Sequence, residues 1–379
     1  MTQDPLNMTT PMTSDDEYVY PGAGELAAYG LKYREVHGYI AVVVCALGII
    51  LNILNIVVLT QKEMRSSVNW ILCALAVSDG LTMATYLPFA LRFYCLYGTD
   101  PSPERNTLPA IRFMFFYAAF SVYVHTVSIW LTVILAIFRY VYISAAPHIV
   151  KRVCSQSRAK LAIFLTYFVT LIVCIPNFLV LQVDDVQHEG SNATMWIVNY
   201  RSESRTDEYL NQFNFWVQAI VVKLLPCCGL TIVSIIIVRK MNQVQRQHQK
   251  LMKTKNSAST SYKLEESKKK SIRATRMLLT VVALFLLTEF PIGIMSMLSG
   301  ILPKFYYEVY SPLGDTMDIL ALINNGINFL LYCAMSKQFR ETFIRIFLNP
   351  VRTRRDKILG KFSLVPQTQN VAETAATVL

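Results

Sequence analysis

Seven long, predominantly apolar runs divide the chain, at residues 38–61, 68–93, 111–143, 161–183, 213–238, 277–302 and 311–335. A run of about 20 apolar residues can cross the hydrocarbon of a bilayer as a helix, whereas a membrane strand is shorter and alternates in polarity. Backbone polar groups in lipid must be paired internally, which a helix achieves within one segment. The pattern therefore predicts an all-α membrane protein whose fold is a bundle of seven transmembrane helices.

The composition agrees with a membrane protein and disfavours three other classes. Of the 379 residues, 53% are hydrophobic and 16% are charged, which is too apolar for a set of soluble domains. The net charge of +11 would suit nucleic-acid binding, but the basic residues lie in loops between spans, without interleaved aromatic side chains. No nucleophile–base pair or metal-ligand signature is present, so the sequence does not indicate an enzyme.

The basic residues are distributed unevenly between the two sides of the predicted bundle. Twelve Lys or Arg residues lie at 239–276 and eight lie after residue 336, whereas the opposite side carries eight in total. Because Lys and Arg in short loops remain cytoplasmic, the loop at 239–276 and the carboxyl-terminal tail are predicted to lie inside. Seven spans then place the amino terminus outside the cell, and the plasma membrane is the expected location.

This topology divides the chain into four parts. Residues 1–37 are expected to form a retained extracellular segment, because no signal-peptide pattern precedes the first span, and residues 38–335 form the seven-helix domain. At 336–348, aromatic and aliphatic residues recur at helical spacing between basic ones, which predicts an amphipathic helix lying on the membrane lipid. Residues 349–379 form a cytoplasmic tail, whose last three residues weakly resemble a ligand for a PDZ protein.

The segments predicted to lie outside carry glycosylation acceptors and acidic residues. Asn7 and Asn192 each begin an Asn-X-Thr triplet. Acidic residues lie near them, at positions 15–17, 184, 185, 189, 207 and 208. Together they would attract a cationic ligand, although each one taken singly is typical of a solvated loop.

Among the ionisable residues within the predicted spans, four stand out: Asp79, Lys223, Glu289 and Asp318. Ionisable groups in hydrocarbon are costly and rare, so each is a candidate for function. Asparagines in the spans are explained equally well as links between helices, but charges are an expensive way to achieve that. Asp318 lies one helical turn from Asp315 near the outer end of the seventh span, where both carboxylates could pair with a cationic ligand.

The order and spacing of several motifs resemble the rhodopsin-like G-protein-coupled receptors over residues 38–348. The motifs are Asn52, LAVSD ending at Asp79, Arg139-Tyr140, Pro226, Pro291 and NFLLY at 328–332. Three longer stretches resemble the invertebrate receptors for myosuppressin and FMRFamide-related peptides, which are relatives of the sex peptide receptor. The stretches are HTVSIWLTVILAIFRY (125–140), RMLLTVVALFLLTEFP (276–291) and NNGINFLLYCAMSKQFRETF (324–343).

That resemblance implies a cell-surface receptor for an extracellular amidated neuropeptide that ends in Arg-Phe-amide. The receptor would activate a heterotrimeric G protein, of the inhibitory class by analogy, and would also bind arrestin. Arg139 and Tyr140 match the residues that meet the G protein. The residues expected to contact the ligand are Asp318, Glu289, Tyr117, Ser121, His125 and Gln218. The residues expected to switch the packing beneath the ligand are Pro226, Ile129, Phe285, Lys223 and Tyr332.

An oxygen-rich pocket is also implied by the resemblance. Asp79, Ser128, Asn324 and Asn328 match the residues that hold a sodium ion in many relatives. Their oxygen atoms are of the kind that a hard cation prefers. This allosteric ion is the one cofactor that the resemblance suggests.

Two substitutions depart from the family pattern inside the bundle. Phe138 stands where most relatives carry an acidic residue, so the usual restraint on Arg139 is lost and measurable basal signalling is expected. Glu289 stands where relatives usually have a tryptophan, with Lys223 on the facing span. An ion pair between these two residues would keep both charged, and its separation on ligand binding could act as a switch.

The cysteines do not supply the usual outer disulfide. Six of the eight lie in spans, Cys154 is predicted to be cytoplasmic, and Cys95 alone faces outward. Met114 stands where relatives carry the cysteine that tethers the loop after the fourth span, and residues 182–212 contain no cysteine. The sequence therefore leaves open how this loop is held.

Two alternative functions remain open. A G-protein-coupled receptor for another peptide or for a small ligand would fit the same motifs. A seven-helix transporter would also carry charges inside the membrane, but the two halves of this chain show no internal repeat.

Overall fold

The structure is a computed structural model that describes residues 20–187, 193–254, 258–302 and 304–348, without the side chains of 245 and 247–278. Seven helical stretches in these ranges are long and apolar enough to span a membrane. They are Ala23–Leu59, Ser67–Leu96, Leu108–Ser144, Gln156–Leu179, Arg205–Val244, Leu279–Ile301 and Tyr306–Met335. The predicted seven-helix bundle is confirmed.

The helices follow one another along the chain with short connections. The α-helices are α1 (Ala23–Leu59), α2 (Ser67–Ala90), α3 (Leu108–Ser144), α4 (Pro147–Val153), α5 (Gln156–Leu179), α6 (Arg205–Trp216), α7 (Leu225–Thr254), α8 (Ala258–Ile301), α9 (Ser311–Met335) and α10 (Lys337–Phe343). Wider π-helical segments lie at Leu91–Leu96, Val217–Leu224, Tyr306–Tyr310 and Ile344–Leu348, each continuous with a neighbouring α-helix. A 3₁₀ turn at Lys62–Met64 separates α1 from α2.

Serine side chains fix the starts of several helices. Ser66 accepts a hydrogen bond from the backbone of Asn69 at the start of α2, and Ser155 and Ser336 do the same for α5 and α10. Ser204 forms a reciprocal pair with Asp207 at the start of α6. A serine in this position satisfies backbone N–H groups that the first helical turn leaves unpaired.

Helix α1 begins well before the first apolar run. Its outer part, from Ala23, lies within the segment that the sequence assigned to an extracellular terminus at 1–37. The hydroxyls of Tyr29 and Thr316 lie 2.9 Å apart, and Arg34 Nε lies 3.3 Å from Asp315 Oδ2. These contacts hold the outer part of α1 against α9. The end of the bundle at which α1 begins, predicted to face outside, is called the outer end below.

A two-stranded hairpin connects the fourth and fifth spans. Strand β1 (Leu181–Gln187) pairs antiparallel with β2 (Thr194–Tyr200), so that Leu181 faces Tyr200 across the hairpin. Val183 and Val198 pack against Phe93 from the end of the second span. The sequence did not predict these strands. The proposed glycosylation site Asn192 and its counterpart Asn7 lie outside the described residues.

The largest apolar cluster lies in the half of the bundle away from the outer end. That opposite end is predicted to face the cytoplasm and is called the cytoplasmic end below. The cluster joins side chains from most of the spans, including Ile71, Leu131, Leu230, Phe285 and Phe339. Lipid tails are as apolar as these side chains, so close packing rather than exclusion of water holds them together. This cluster therefore surrounds the helix segments that are expected to meet a G protein.

A short helix follows the last span, as predicted. Phe339 of α10 is buried, and Arg340 donates hydrogen bonds to the carbonyls of Cys333 and Ala334 at 2.8 and 2.9 Å. Arg345 makes a two-bond contact with Glu63, at 3.1 and 2.8 Å, near the 3₁₀ turn. Carbonyl groups at the end of the last span are thus paired with α10, and Arg345 ties the segment after α10 to the 3₁₀ turn between α1 and α2.

Candidate functional site

Two carboxylates one turn apart on α9 have different surroundings. Asp315 accepts a hydrogen bond from the hydroxyl of Tyr94 at 2.8 Å and pairs with Arg34 at 3.3 Å. Asp318 is exposed and accepts a longer bond, of 3.4 Å, from the hydroxyl of Tyr86. Within the described ranges no Lys, Arg or His side chain pairs with Asp318. Asp318 is therefore a carboxylate near the outer end whose positive partner is missing.

Aromatic side chains form a wall beside Asp318. His37 is completely buried, and its Nε2 atom lies 2.8 Å from the hydroxyl of Tyr86. The rings of Phe89 and Tyr117 stack with centroids 4.3 Å apart, and Tyr117 meets Tyr86 edge to face at 5.8 Å. Aromatic faces beside a carboxylate favour a flat cation such as a guanidinium. Tyr117, one of the proposed ligand contacts, belongs to this wall.

Three helices bring a charged cluster together below this wall. Lys223 Nζ lies 2.7 Å from Glu289 Oε2, and the carboxylate of Glu289 is completely buried. The ion pair that the sequence suggested is therefore present. His125 Nε2 lies 3.1 Å from the other oxygen of Glu289, without hydrogen-bond geometry, and 3.3 Å from Lys223 Nζ. This role of His125 was missed, because its position in sequence pointed only to the ligand.

The other proposed ligand contacts lie on the third and fifth spans. Tyr117, Ser121 and His125 follow one another on a single face of α3, four residues apart, and all three are half-buried. Gln218 lies on the π-helical segment that leads into α7, and its buried Nε2 atom has no hydrogen-bond partner among the described atoms. The structure shows no direct contact that joins Asp318 to the Glu289 cluster within the described part. The candidate site therefore has an upper carboxylate and a separate charged floor.

A small cavity of about 20 Å³ extends beneath the floor. His125 lines it together with Asp79, Ser128, Asn324 and Asn328. Asn328 donates a hydrogen bond to Asp79 at 3.0 Å, whereas the buried hydroxyl of Ser128 has no partner in the described part of the chain. A cavity of this size holds about one water-sized particle. A carboxylate, a hydroxyl and amide oxygens around it fit a hard cation such as sodium.

The proposed packing switch is buried in the large apolar cluster. Ile129, Phe285 and Pro226 are all buried, and the first two belong to that cluster. Tyr332 packs its ring against Phe339 of α10, with centroids 5.6 Å apart. These residues connect the floor of the site with the cytoplasmic end by continuous packing.

Arg139 lies at the cytoplasmic end of α3 without an acidic partner among the described residues. Its Nε atom is buried and unpaired, while the neighbouring Phe138 is 8% exposed and packs into the apolar cluster. Tyr140 is exposed. The structure therefore describes no acidic side chain paired with Arg139, and the side chains of residues 247–278 lie outside the described part.

Comparison with known proteins gives this architecture a family. A family model described as serpentine type 7TM GPCR chemoreceptor Srw matches residues 39–350. The chain belongs to this receptor family. It is therefore a multi-pass membrane receptor of the G-protein-coupled class, and a signalling protein rather than an enzyme.

Individual relatives refine the comparison of this receptor. The G-protein coupled receptor dmsr-1 of Caenorhabditis elegans is 28% identical over 356 residues, which cover 85% of this chain and 70% of the relative. The sex peptide receptor of Drosophila melanogaster is also 28% identical over 356 residues, covering 90% and 79%. The FMRFamide receptor of the same fly is 25% identical over 330 residues, covering 84% of this chain and 55% of the relative.

Proposed function

We propose that this receptor binds an amidated neuropeptide outside the cell and activates a heterotrimeric G protein inside it. The peptide would be FMRFamide-like or myosuppressin-like and would end in Arg-Phe-amide. Two relatives are named for peptide ligands, the sex peptide receptor and the FMRFamide receptor. The receptor would lie in the plasma membrane with its amino terminus outside, as the distribution of basic residues favours.

The observation that carries this proposal is the exposed carboxylate of Asp318 near the outer end of α9. Its partner within the described ranges is a single tyrosine hydroxyl at 3.4 Å, whereas Asp315 nearby already has a cation and a hydroxyl. A ligand guanidinium beside the Tyr86–Tyr117 wall would neutralise the charge of Asp318 and make cation–π contacts with the aromatic faces. The remainder of the ligand would extend toward Gln218 and His125.

The test is a concentration–response series in cells, read by calcium or cyclic AMP, with a panel of amidated peptides. The Asp318→Asn variant should respond to Phe-Met-Arg-Phe-amide with about 10- to 100-fold lower potency, because a charge-assisted hydrogen bond contributes about 1.5–3 kcal/mol. A peptide with citrulline in place of arginine should lose the same factor on the wild type and little on the variant. Asp315→Asn is the matched control, because it removes a carboxylate that is already paired.

Two outcomes would contradict the proposal at different levels. If no Arg-Phe-amide peptide evokes a response, the peptide class is wrong while the receptor family stands. If a peptide evokes a response and the Asp318→Asn substitution does not change the potency of that peptide, Asp318 does not contact the arginine.

Signal transfer would run through the packing between Pro226, Ile129 and Phe285 to Arg139 and Tyr140, where the G protein is proposed to bind.

A sodium ion among Asp79, Ser128, Asn324 and Asn328 would supply a positive charge beneath the ligand and stabilise one arrangement of the helices. Added sodium should raise the melting temperature of the purified receptor relative to potassium at equal ionic strength. Asp79→Asn should abolish that difference.

Binding of arrestin, and of a PDZ protein to residues 377–379, stays a prediction, and those three residues lie outside the described ranges.

A further inference from the structure

The hairpin β1–β2 lies over the outer end of α3 without a covalent tether. All eight cysteines of the chain are described, and all are free. Trp196 and Val198 pack against a small buried group that includes Phe93 and Ile111. Apolar contact is not directional, so by itself it would leave the strands free to slide along α3. A directional contact is needed to fix their position.

Asn106, in the loop between the second and third spans, supplies two such contacts to one strand residue. The backbone N–H of Trp196 donates to the carbonyl of Asn106 at 3.0 Å, and Asn106 Nδ2 donates to the carbonyl of Trp196 at 3.0 Å. Trp196 lies opposite Asp185 in the hairpin. Both backbone groups of Trp196 are thus occupied at the edge of β2 that faces away from β1.

The side chain of Asn106 is itself held in place. It is 4% exposed, and its Oδ1 atom accepts a hydrogen bond from Arg105 Nη1 at 3.1 Å. Arg105 lies over the ring of Phe93 at 5.0 Å. Arg92 donates to the carbonyl of Arg105 at 3.2 and 3.1 Å and to the carbonyl of Glu104 at 2.9 Å. This loop is therefore fixed to the end of the second span before it meets the hairpin.

We propose that Asn106 is the positioning residue that holds the hairpin over the ligand site in place of a disulfide. Every polar atom of its side chain is used, and removing one partner of a buried hydrogen bond costs more than the bond contributes. The hairpin is therefore positioned by two hydrogen bonds between Asn106 and Trp196, one of them from the amide side chain, and its position is independent of thiol oxidation. The functional half of the proposal rests on the ligand site proposed above.

Hydrogen–deuterium exchange of the full-length receptor in lipid nanodiscs tests the structural half without any ligand. In the wild type, dithiothreitol in the labelling buffer should leave the exchange of the β2 amides unchanged. In Asn106→Asp, which keeps Oδ1 but removes the donor to Trp196, those amides should exchange about tenfold faster, equivalent to about 1.4 kcal/mol.

Asn199→Asp is the matched control, because it places the same charge on β2, the strand that Asn106 contacts. Asn199 uses Oδ1, which the substitution retains, to accept from the backbone of Tyr200 at 2.9 Å. Exchange in this variant should equal that of the wild type. If Asn106→Asp is not delivered to the membrane, Arg105→Lys replaces it. That change removes the bond to Asn106 Oδ1 and should raise β2 exchange about threefold.

Either of two results would overturn the structural half: faster β2 exchange of the wild type in dithiothreitol, or unchanged exchange in Asn106→Asp. The functional half is measured with Phe-Met-Arg-Phe-amide at equal surface levels of receptor. Potency should fall about tenfold in Asn106→Asp and remain unchanged in Asn199→Asp. Equal potency in the two variants would overturn it. If neither the wild type nor any variant responds to the peptide, the proposed ligand is wrong. Hydrogen–deuterium exchange of the β2 amides then still tests the role of Asn106.

Discussion

The outer half of the bundle and its cytoplasmic end differ in how they hold their charges. In the outer half, Arg34 pairs with Asp315 across α1 and α9, and Lys223 pairs with Glu289 across the fifth and sixth spans. At the cytoplasmic end Arg139 has no acidic partner in the described ranges and lies beside an apolar cluster. Ion pairs therefore join spans in the outer half, whereas at the cytoplasmic end the described ion pair between separate elements, Arg345–Glu63, links α10 to the 3₁₀ turn and not two spans. We infer that the restraint on activation has moved from the cytoplasmic end to the floor of the ligand site.

The largest effect is expected where the charge is most buried. Lys223→Met would leave the carboxylate of Glu289 buried without its ammonium, which typically costs about 3–5 kcal/mol. The melting temperature of the purified receptor should therefore fall clearly. Lys240→Met is the control, since that ammonium makes an exposed contact with Gln243 at 3.4 Å.

A double-mutant cycle measures the interaction between Lys223 and Glu289 separately from the effect of each single substitution. Glu289→Gln combined with Lys223→Met should be less harmful than the sum of the single changes, because neither charge is then left alone. The cycle is read from melting temperature and from peptide-stimulated signalling. Additive effects would show that the pair is not coupled, and the contrast between the two halves would lose its basis.

A smaller effect is expected at the cytoplasmic end, where a charge can be added. Phe138→Asp places a carboxylate beside Arg139 and should lower basal signalling about tenfold, if the new pair contributes about 1.4 kcal/mol to the inactive state. Basal signalling is measured without peptide at matched surface levels. Phe138→Leu serves as the control for the loss of the ring. Equal basal signalling in the wild type and in Phe138→Asp would contradict the proposed shift of the restraint.

The smallest effect is expected at the exposed outer pair. Arg34 is 42% exposed, so Arg34→Gln should lower the free energy of unfolding by less than about 1 kcal/mol. Thermal unfolding of the purified receptor measures this, with the exposed Arg112→Gln as control. A loss as large as that of Lys223→Met would mean that α1 contributes more to the outer half than its contacts suggest.

Length and polarity were enough to predict the seven spans, because a bilayer imposes both on every crossing segment. They did not predict the outer part of α1. Glu25, Lys32, Arg34 and Glu35 make that stretch polar, and a helix that rises out of the membrane needs no apolar run. The hairpin was missed for a similar reason, since Asp184 and Asp185 interrupt the alternation that indicates a strand.

The candidate site was predictable as a set of residues but not as a set of contacts. Four charges within spans are rare enough to be recognised singly, and the Lys223–Glu289 pair followed from their facing positions. The contact of His125 with this pair could not be predicted, because it depends on how α3 is rotated about its axis. The sequence favoured Asp318 over Asp315 as the ligand contact but did not show that Asp315 is already paired, because its partner Arg34 lies 281 positions away on the outer part of α1, which had not been predicted.

The π-helical segment Val217–Leu224 places Lys223 at its present angle. Such a segment is an α-helix that accommodates one surplus residue. If the surplus were absorbed, the part on its outer side would turn by about 100° and shift by about 1.5 Å relative to α7, the twist and rise of one helical residue. The side chains of Lys223 and Gln218 would then change direction. The fifth span would have two conformations, related by rotation and translation along its own axis. Spin labels at the exposed positions 212 and 232 should report two distance populations if this occurs, and a single unchanged population would exclude it.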